Sequence, residues 1–361
     1  MHHFTRQNHC GSAAFAMGLL VIVASALRPA AAQDVTFKDK TITMIIGSAP
    51  GGGTDATGRV LQPFLARHLP GQPQIVVRNM PGADGVTALN YVTKVTKPDG
   101  LTLMVGSSTN VDPLNYRKPQ AQFDPVTFQY IGGVGRGGTM MLIRRDAEPR
   151  LTDKSKDPVI MGSVGGVPRS GMQLTAWGIA FLGWNARWVV GYRGTNDLAI
   201  ALERGEIEMT STGNMFQIRQ FVEGNKVKVL FQSGTFENGQ LVARPEFADA
   251  PIFTDYMKGK INDPVAQKAF EYWFNSNAMD KWVAVVQETP QPIVDAYRAA
   301  FEAIRDDPEF GDTGKKISED FTLLSYKDTE YLVKALGDTP TPALNYMGAM
   351  LRNQGLHVEQ E

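Results

Sequence analysis

The chain has 361 residues, with 36 Lys+Arg against 37 Asp+Glu, one Cys and five His. A hydrophobic fraction of 43% beside 20% charge is that of a folded globular protein, not of a disordered one. Near-neutral charge with no Lys/Arg-rich run argues against nucleic-acid binding.

The first residues alter these totals. Arg6 lies in a short polar start, residues 12–27 are uncharged and mostly apolar, Arg28-Pro29 ends that run, and Ala30-Ala31-Ala32 places small residues before Gln33. This order predicts a secretory signal peptide over 1–32. The apolar run is shorter than the ~20 residues of a membrane-spanning helix. Cys10 precedes the run, which argues against a lipoprotein anchor. Cleavage after Ala32 would leave 329 residues, 34 Lys+Arg against 37 Asp+Glu, no cysteine, and two histidines, His68 and His357. No disulfide, thiolate nucleophile, cysteine metal site or His-x-x-x-His zinc pair is then available. A Ser-His-Asp triad would have to recruit one of two isolated histidines. No catalytic residue, metal or cofactor is therefore expected. An exported chain without disulfides points to a bacterial periplasm.

In chain order, β-branched and apolar residues 41–46 predict a buried strand running into Gly47-Ser48-Ala49-Pro50-Gly51-Gly52-Gly53-Thr54-Asp55. An apolar stripe of Val60, Leu61, Phe64, Leu65 and Leu69 predicts the helix that follows, with Thr54 or Asp55 as its N-cap and a disturbance at Pro63. A strand at 74–77, a tight loop at 79–85, a helix at 86–95 and a strand at 101–105 repeat the unit. Alternating strands and helices predict a parallel, doubly wound sheet. Gly133, Gly135 and Gly138 match G-x-G-x-x-G, but residues 139–143 read as a strand rather than a helix, so a connection between lobes is expected there and not a dinucleotide site. A second α/β unit follows, with strands at 159–161, 187–190, 207–209 and 227–231 and helices at 172–182 and 197–204. Trp177, Trp184 and Trp188 are expected in its core. The tail returns to longer elements: helices at 264–274, 291–305, 327–336 and 342–352, and a strand at 281–286. His68 is expected on an exposed helix face.

Four strands end in similar small, hydroxyl-rich loops: 47–52, 106–110, 162–166 and 210–214. Ligands of open α/β sheets bind beyond the carboxyl ends of strands. Small residues let a ligand approach the backbone, helix-start N–H groups attract an anion, and hydroxyls add donors. The candidate ligand-binding residues are Ser48, Ala49, Pro50, Gly51, Gly52, Gly53, Thr54 and Asp55 in the first loop, with Ser107 and Ser108 after the third strand. In the second unit they are Ser163, Val164, Gly165, Gly166, Arg169, Ser170, Tyr192, Thr195, Thr212 and Asn214. Asp55 has two readings, helix cap or ligand contact, and Arg169 two, carboxylate partner or structural cation. No Walker lysine follows Gly51-Gly52-Gly53, which disfavours a nucleoside triphosphate. Anion capture without a base suggests binding rather than turnover.

The stretch Ile45-Ile46-Gly47-Ser48-Ala49-Pro50-Gly51-Gly52-Gly53-Thr54-Asp55 resembles the first-strand signature of the substrate-binding proteins of tripartite tricarboxylate transporters, the Bug-type periplasmic receptors. Asn79-Met80-Pro81-Gly82-Ala83-Asp84-Gly85, Lys97-Pro98-Asp99-Gly100-Leu101-Thr102-Leu103, and Gly191-Tyr192-Arg193-Gly194-Thr195 with residues 202–208 match in the same order. The resemblance implies an α/β, two-lobed periplasmic binding fold of type II-like form, each lobe a sheet flanked by helices with the ligand cleft between them. Lobe I would comprise 33–140 plus 255–361, and lobe II 141–254. It implies a monomer that holds a small carboxylate through main-chain groups of two loops, Ser48 to Asp55 and Ser163 to Ser170, and delivers it to a membrane permease of one large and one small subunit. Gln173-Leu174 stands where a His-Leu pair is usual, Arg169-Ser170 makes a bulkier, charged loop end, and Thr210-Ser211-Thr212-Gly213-Asn214 replaces an Asp-containing stretch, so the ligand's identity is not inherited. A ligand-sensing accessory of a sensor kinase is the alternative, and a periplasmic hydrolase a remote one.

Overall fold

The computed structural model describes residues 35–135, 137–164, 166–168, 170–315 and 321–358; the expected signal peptide 1–32 lies outside them. In chain order the first elements are β1 (Thr41–Ile46), α1 (Gly53–His68), β2 (Gln74–Asn79), α2 (Val86–Val95), β3 (Thr102–Ser107), the short turns α3 (Ser108–Val111) and α4 (Pro113–Tyr116), and β4 (Gln129–Gly135). β1 pairs in parallel with β2 and with β3, Met44 lying opposite Val77 on one side and Leu103 on the other. The apolar stripe of α1 is buried at Leu61, Phe64 and Leu65 against β1 and β3, as its spacing predicts. The helix runs through Pro63, and its N-cap is Gly52 rather than Thr54 or Asp55.

The chain then leaves this sheet. β5 (Met140–Arg144), β6 (Val159–Val164), α5 (Leu174–Phe181), β7 (Ala186–Tyr192), α6 (Thr195–Arg204), β8 (Met209–Thr212), α7 (Met215–Glu223) and β9 (Val227–Gln232) build a second sheet, followed by a hairpin of β10 (Thr235–Glu237) and β11 (Gln240–Val242). Then come α8 (Phe253–Met257), α9 (Pro264–Ala278), β12 (Met279–Val285), α10 (Gln291–Arg305), α11 (Pro308–Lys315), β13 (Leu323–Leu324), α12 (Tyr326–Gly337) and α13 (Thr341–Asn353). The first sheet has the order β13-β4-β12-β3-β1-β2 and the second β7-β6-β8-β5-β9.

Both sheets are mixed, which corrects the expectation of parallel ones. β12 lies antiparallel between β3 and β4, and β5 antiparallel between β8 and β9. Each is the strand with which the chain arrives from the other sheet. It enters by a crossing and not by a helical return, so the right-handed βαβ rule does not fix its direction. The Gly-rich run at 132–138 spans the end of β4 and the passage to β5, with Arg136 outside the described residues.

Helices are shared between the sheets in a way that cuts across the expected lobes. α10 buries Val294, Tyr297 and Phe301 in the core of the first sheet, whereas α9 and α13 bury Trp273, Met347 and Leu351 in the core of the second. There Trp177, fully buried, stacks on Phe181 at 5.6 Å and meets Phe270 edge-on at 4.9 Å. Trp184 is also buried, and Trp188 is half-buried, donating from Nε1 to Gln354 Oε1 at 3.0 Å. His68 is not on a free face: its Nε2 lies 3.0 Å from the Asp307 carboxylate.

Trp177 Nε1 is buried with no partner among the described residues. A buried unpaired donor costs about 1–3 kcal/mol. Trp177→Phe is therefore expected to stay within about 1.5 kcal/mol of the parent, since losing the orphan offsets the small void, while Trp177→Ala costs about 3–5 kcal/mol. Urea unfolding of both variants measures this, and equal losses would show that the N–H carries no penalty.

Candidate functional site

Three loops at the carboxyl ends of β1, β2 and β3 surround a cavity of about 320 Å³. Gly47, Ser48, Ala49 and Thr54 come from the first, Pro81, Gly82, Asp84 and Gly85 from the second, and Ser107, Thr109 and Asn110 from the third. This is where a parallel α/β segment leaves a crevice. The size suits a small metabolite.

The first loop is held by a buried polar network. The Asp55 carboxylate, 3% exposed, accepts hydrogen bonds from Gly51 N (2.8 Å), Asn79 Nδ2 (2.8 Å) and Arg59 Nε (2.9 Å). Asn79 Nδ2 also reaches the Ser48 carbonyl at 3.0 Å, and Arg59 donates to Asn79 Oδ1 at 3.0 Å. Burial pushes the Asp55 carboxyl upward, but the hydrogen bonds from Arg59, Asn79 and Gly51 outweigh it and hold the group below its usual value. Asp55 is thus turned toward the loop that precedes it: it neither caps its helix nor lines the cavity.

No side chain caps α1, whose N-cap is Gly52. Its leading N–H groups are left for another acceptor, at the positive end of a 16-residue helix. Thr54, in that first turn, lines the cavity. Ser48 Oγ is buried and has no partner among the described residues.

The second loop is strained. Gly82, Ala83, Asp84 and Gly85 all have positive φ, at 141°, 46°, 52° and 96°. For the two non-glycine residues this costs roughly 1–2 kcal/mol each. Gly85 has no substitute, because a Cβ there would sit 2.8 Å from Asn110 Nδ2. Asn110, 5% exposed, ties the second loop to the third: its Nδ2 donates to the Asp84 carbonyl at 2.7 Å and its Oδ1 accepts from Ser107 N at 2.9 Å. Sequence reasoning singled out neither Thr109 nor Asn110. The signal available was Asn110 at the end of one of the four similar loops.

Of the remaining first-unit candidates, Pro50, Gly51 and Gly52 connect β1 to α1, Gly53 opens α1 and Ser108 opens α3; none of them lines the cavity. In the second unit, Ser163 is fully buried, its Oγ lying 3.2 Å from the Val164 carbonyl and 3.4 Å from Met172 Sδ. Val164 ends β6, Gly166 is exposed, and Ser170 begins a short helical turn ahead of α5. Gly165 and Arg169 lie outside the described residues. Tyr192 ends β7. Thr195 and Thr212 meet across a small cavity that Thr210, Ser211 and Gln217 also line. Asn214 caps α7, its Oδ1 accepting from Gln217 N at 3.2 Å. The structure therefore gathers Ser48, Ala49, Thr54 and Ser107 at one site and Thr195 with Thr212 at another. Among the described residues no group of His, Cys, Asp and Glu is placed to hold a metal ion, and no helix is long and apolar enough to cross a membrane.

Two sheets flanked by helices, with a polar cavity at strand ends, define the α/β, two-lobed fold of periplasmic solute-binding proteins. The fold matches the crystal structure of a TctC solute-binding protein from Polaromonas with a TM-score of 0.65 at 18% identity, over 88% of this chain and 100% of that one. No family model matches the chain. Over 238 residues, 63% of this chain and 70% of the relative, it is 28% identical to a UPF0065 protein of Bordetella pertussis. A stretch of 93 residues is 38% identical to protein BugT of the same organism, covering 26% of this chain and 27% of that one. In sequence the chain is thus similar to a UPF0065 protein and to BugT, and in fold to a TctC solute-binding protein, the direction in which the sequence motifs pointed.

Proposed function

We propose that the chain is an exported receptor that captures a small carboxylate and delivers it to a tripartite tricarboxylate-type permease. The carrying observation is the cavity at the ends of β1, β2 and β3, lined by Thr54 of the uncapped first turn of α1 and by Ser48, whose buried Oγ has no partner among the described residues. Both lack what an anion supplies, an acceptor for free donors. The kinship with Bug-type proteins and the TctC-like fold support the same reading.

In this reading the protein works in the periplasm as a monomer, after loss of residues 1–32, and a permease of one large and one small subunit is its partner. The two units centred on the first sheet (33–140 plus 255–361) and the second (141–254) close on the ligand, and closure shifts an open–closed equilibrium. The second unit supplies its face from the segment that follows β6, the second of the two loops that the sequence motifs single out. Closure expels water and strengthens each hydrogen bond to the carboxylate. A micromolar affinity needs only about 8 kcal/mol, within reach of several N–H and O–H donors.

Thermal-shift screening against mono-, di- and tricarboxylates tests this, and no stabilisation by any of them would overturn it. Ser48→Ala sharpens the test. Removing an orphan hydroxyl should leave the ligand-free protein as stable as the parent or slightly more so. Losing a donor to a charged acceptor should weaken carboxylate binding about 10-fold or more. Unchanged affinity in calorimetry would remove Ser48 Oγ from the site.

A further inference from the structure

A second cavity, of about 270 Å³, adjoins the first. The two share Asp84, Thr109 and Asn110 in their walls. Their chemistry differs. The first is lined mainly by glycines, hydroxyls and an amide, whereas the second has an apolar wall of Val86, Tyr116, Ala121 and Phe123, with Asn115 and the exposed Lys118 and Gln120 also lining it. The four residues of the apolar wall belong to the apolar cluster on one face of the first sheet, with Phe123 7% exposed and the others half-buried. The cluster is therefore left incomplete on the side that meets the ligand cavity. Apolar cavities of about 150 Å³ already take up benzene, so this one accommodates an aryl ring or a short alkyl chain.

Asp84 reinforces the division. It is exposed, it lines both cavities, and it is the one ionisable residue among those lining the first. An acid at the junction disfavours a second carboxylate there by like-charge repulsion, while Lys118, the cation that lines the side cavity, is exposed and screened by water.

We propose that the side cavity walled by Val86, Tyr116, Ala121 and Phe123 receives an apolar substituent of the ligand, so that the captured molecule is a monocarboxylate with an aryl or alkyl tail. This rests on the carboxylate reading above. The carboxylate takes the donors at Ser48 and the start of α1. The tail passes Asp84 and Thr109 into the side cavity, where it removes apolar surface from water on both molecules.

The test compares phenylacetate and hexanoate with acetate and with adipate, by calorimetry on the parent protein and on Ala121→Phe, whose added ring occupies the side cavity. In the parent, phenylacetate or hexanoate should bind at least about 10-fold tighter than acetate and than adipate. In Ala121→Phe that advantage should fall to less than about 3-fold. Acetate binding to the variant reports that it still folds, and circular dichroism does so independently. The proposal is overturned if tailed acids bind no better than acetate, if adipate binds as well as they do, or if the advantage survives in Ala121→Phe. Failure of every carboxylate would overturn the receptor reading itself, and this proposal with it.

Discussion

Asp55→Ala should lower carboxylate affinity at least about 100-fold while leaving the protein folded. The argument runs through the loop, since Asp55 does not line the cavity. Its carboxylate is the common acceptor for Gly51 N, Asn79 Nδ2 and Arg59 Nε, and Asn79 in turn holds the Ser48 carbonyl. Removing it takes the acceptor from Gly51 N and one of the two acceptors from Asn79 Nδ2, and so loosens the turn 48–53. Arg59 is 51% exposed at its side chain, so its share is that of a surface ion pair and small. The lost hydrogen bonds account for a stability loss of about 1–2 kcal/mol. The larger effect falls on binding, because the site-competent loop becomes one conformation among several. Asp55→Asn keeps one acceptor and should be intermediate. Parent-like binding by Asp55→Ala would sink the argument.

The same carboxylate sets an acid limit. Its value in the folded protein is depressed, because the three hydrogen bonds outweigh burial. A depressed carboxyl contributes stability that is present above the unfolded value, about 3.9, and is lost as pH falls through the folded value. Asp307 acts in the same direction, lowered first by the hydrogen bond with His68. Affinity should therefore be flat from neutral pH down to about 5 and fall below about 4, with a shallower fall in Asp55→Asn.

Much of this architecture is written in local pattern, and what is not can be traced to long-range terms. The strand at 41–46 and the helix at 291–305 appear where alternation and the 3.6-residue period place them. Periodicity shows that α9 and α13 bury a face; it does not say that they divide it, Trp273, Met347 and Leu351 going to the second sheet's core and Tyr272 and Leu344 to the first's. The antiparallel insertions of β5 and β12 depend on where the chain returns from the other sheet. Within the site, the small residues of the first loop were readable. The partnership of Asp55 with Arg59 had a readable spacing too, four residues along a helix. Its bond with Asn79, 24 residues away, had none. Ala83 at positive φ contradicts its own preference, so no propensity reports it, whereas Asp84 beside it is of a type that enters the left-handed region more readily. Ser163 looked like a loop hydroxyl, yet the strand β6 extends past it and buries it.

Trp282→Ala is expected to cost about 3–5 kcal/mol of stability. Trp282 is fully buried on β12, meets Tyr130 edge-on at 5.6 Å and lies 6.0 Å from Phe128. Its Nε1 donates to the Ser107 carbonyl at 2.9 Å, so the ring braces the strand end that feeds the cavity. The space it fills exists because its neighbour across the strand pair is Gly106: a Cβ there would lie 2.1 Å from Trp282 Cζ2. Gly106→Ala should therefore be destabilising in its own right, by about 1–3 kcal/mol through overpacking. The two positions are one packing unit, and their effects should not add. Gly106→Ala in a Trp282→Phe background should cost less than in the parent, with a coupling of about 0.5–3 kcal/mol. Urea unfolding of the four proteins gives the cycle. Additive losses, or a Trp282→Ala variant within about 1 kcal/mol of the parent, would show that the ring does not brace this strand end. With the ring gone, Ser107 loses its brace and Asn110 the frame that ties the second and third loops, so carboxylate binding should weaken together with stability.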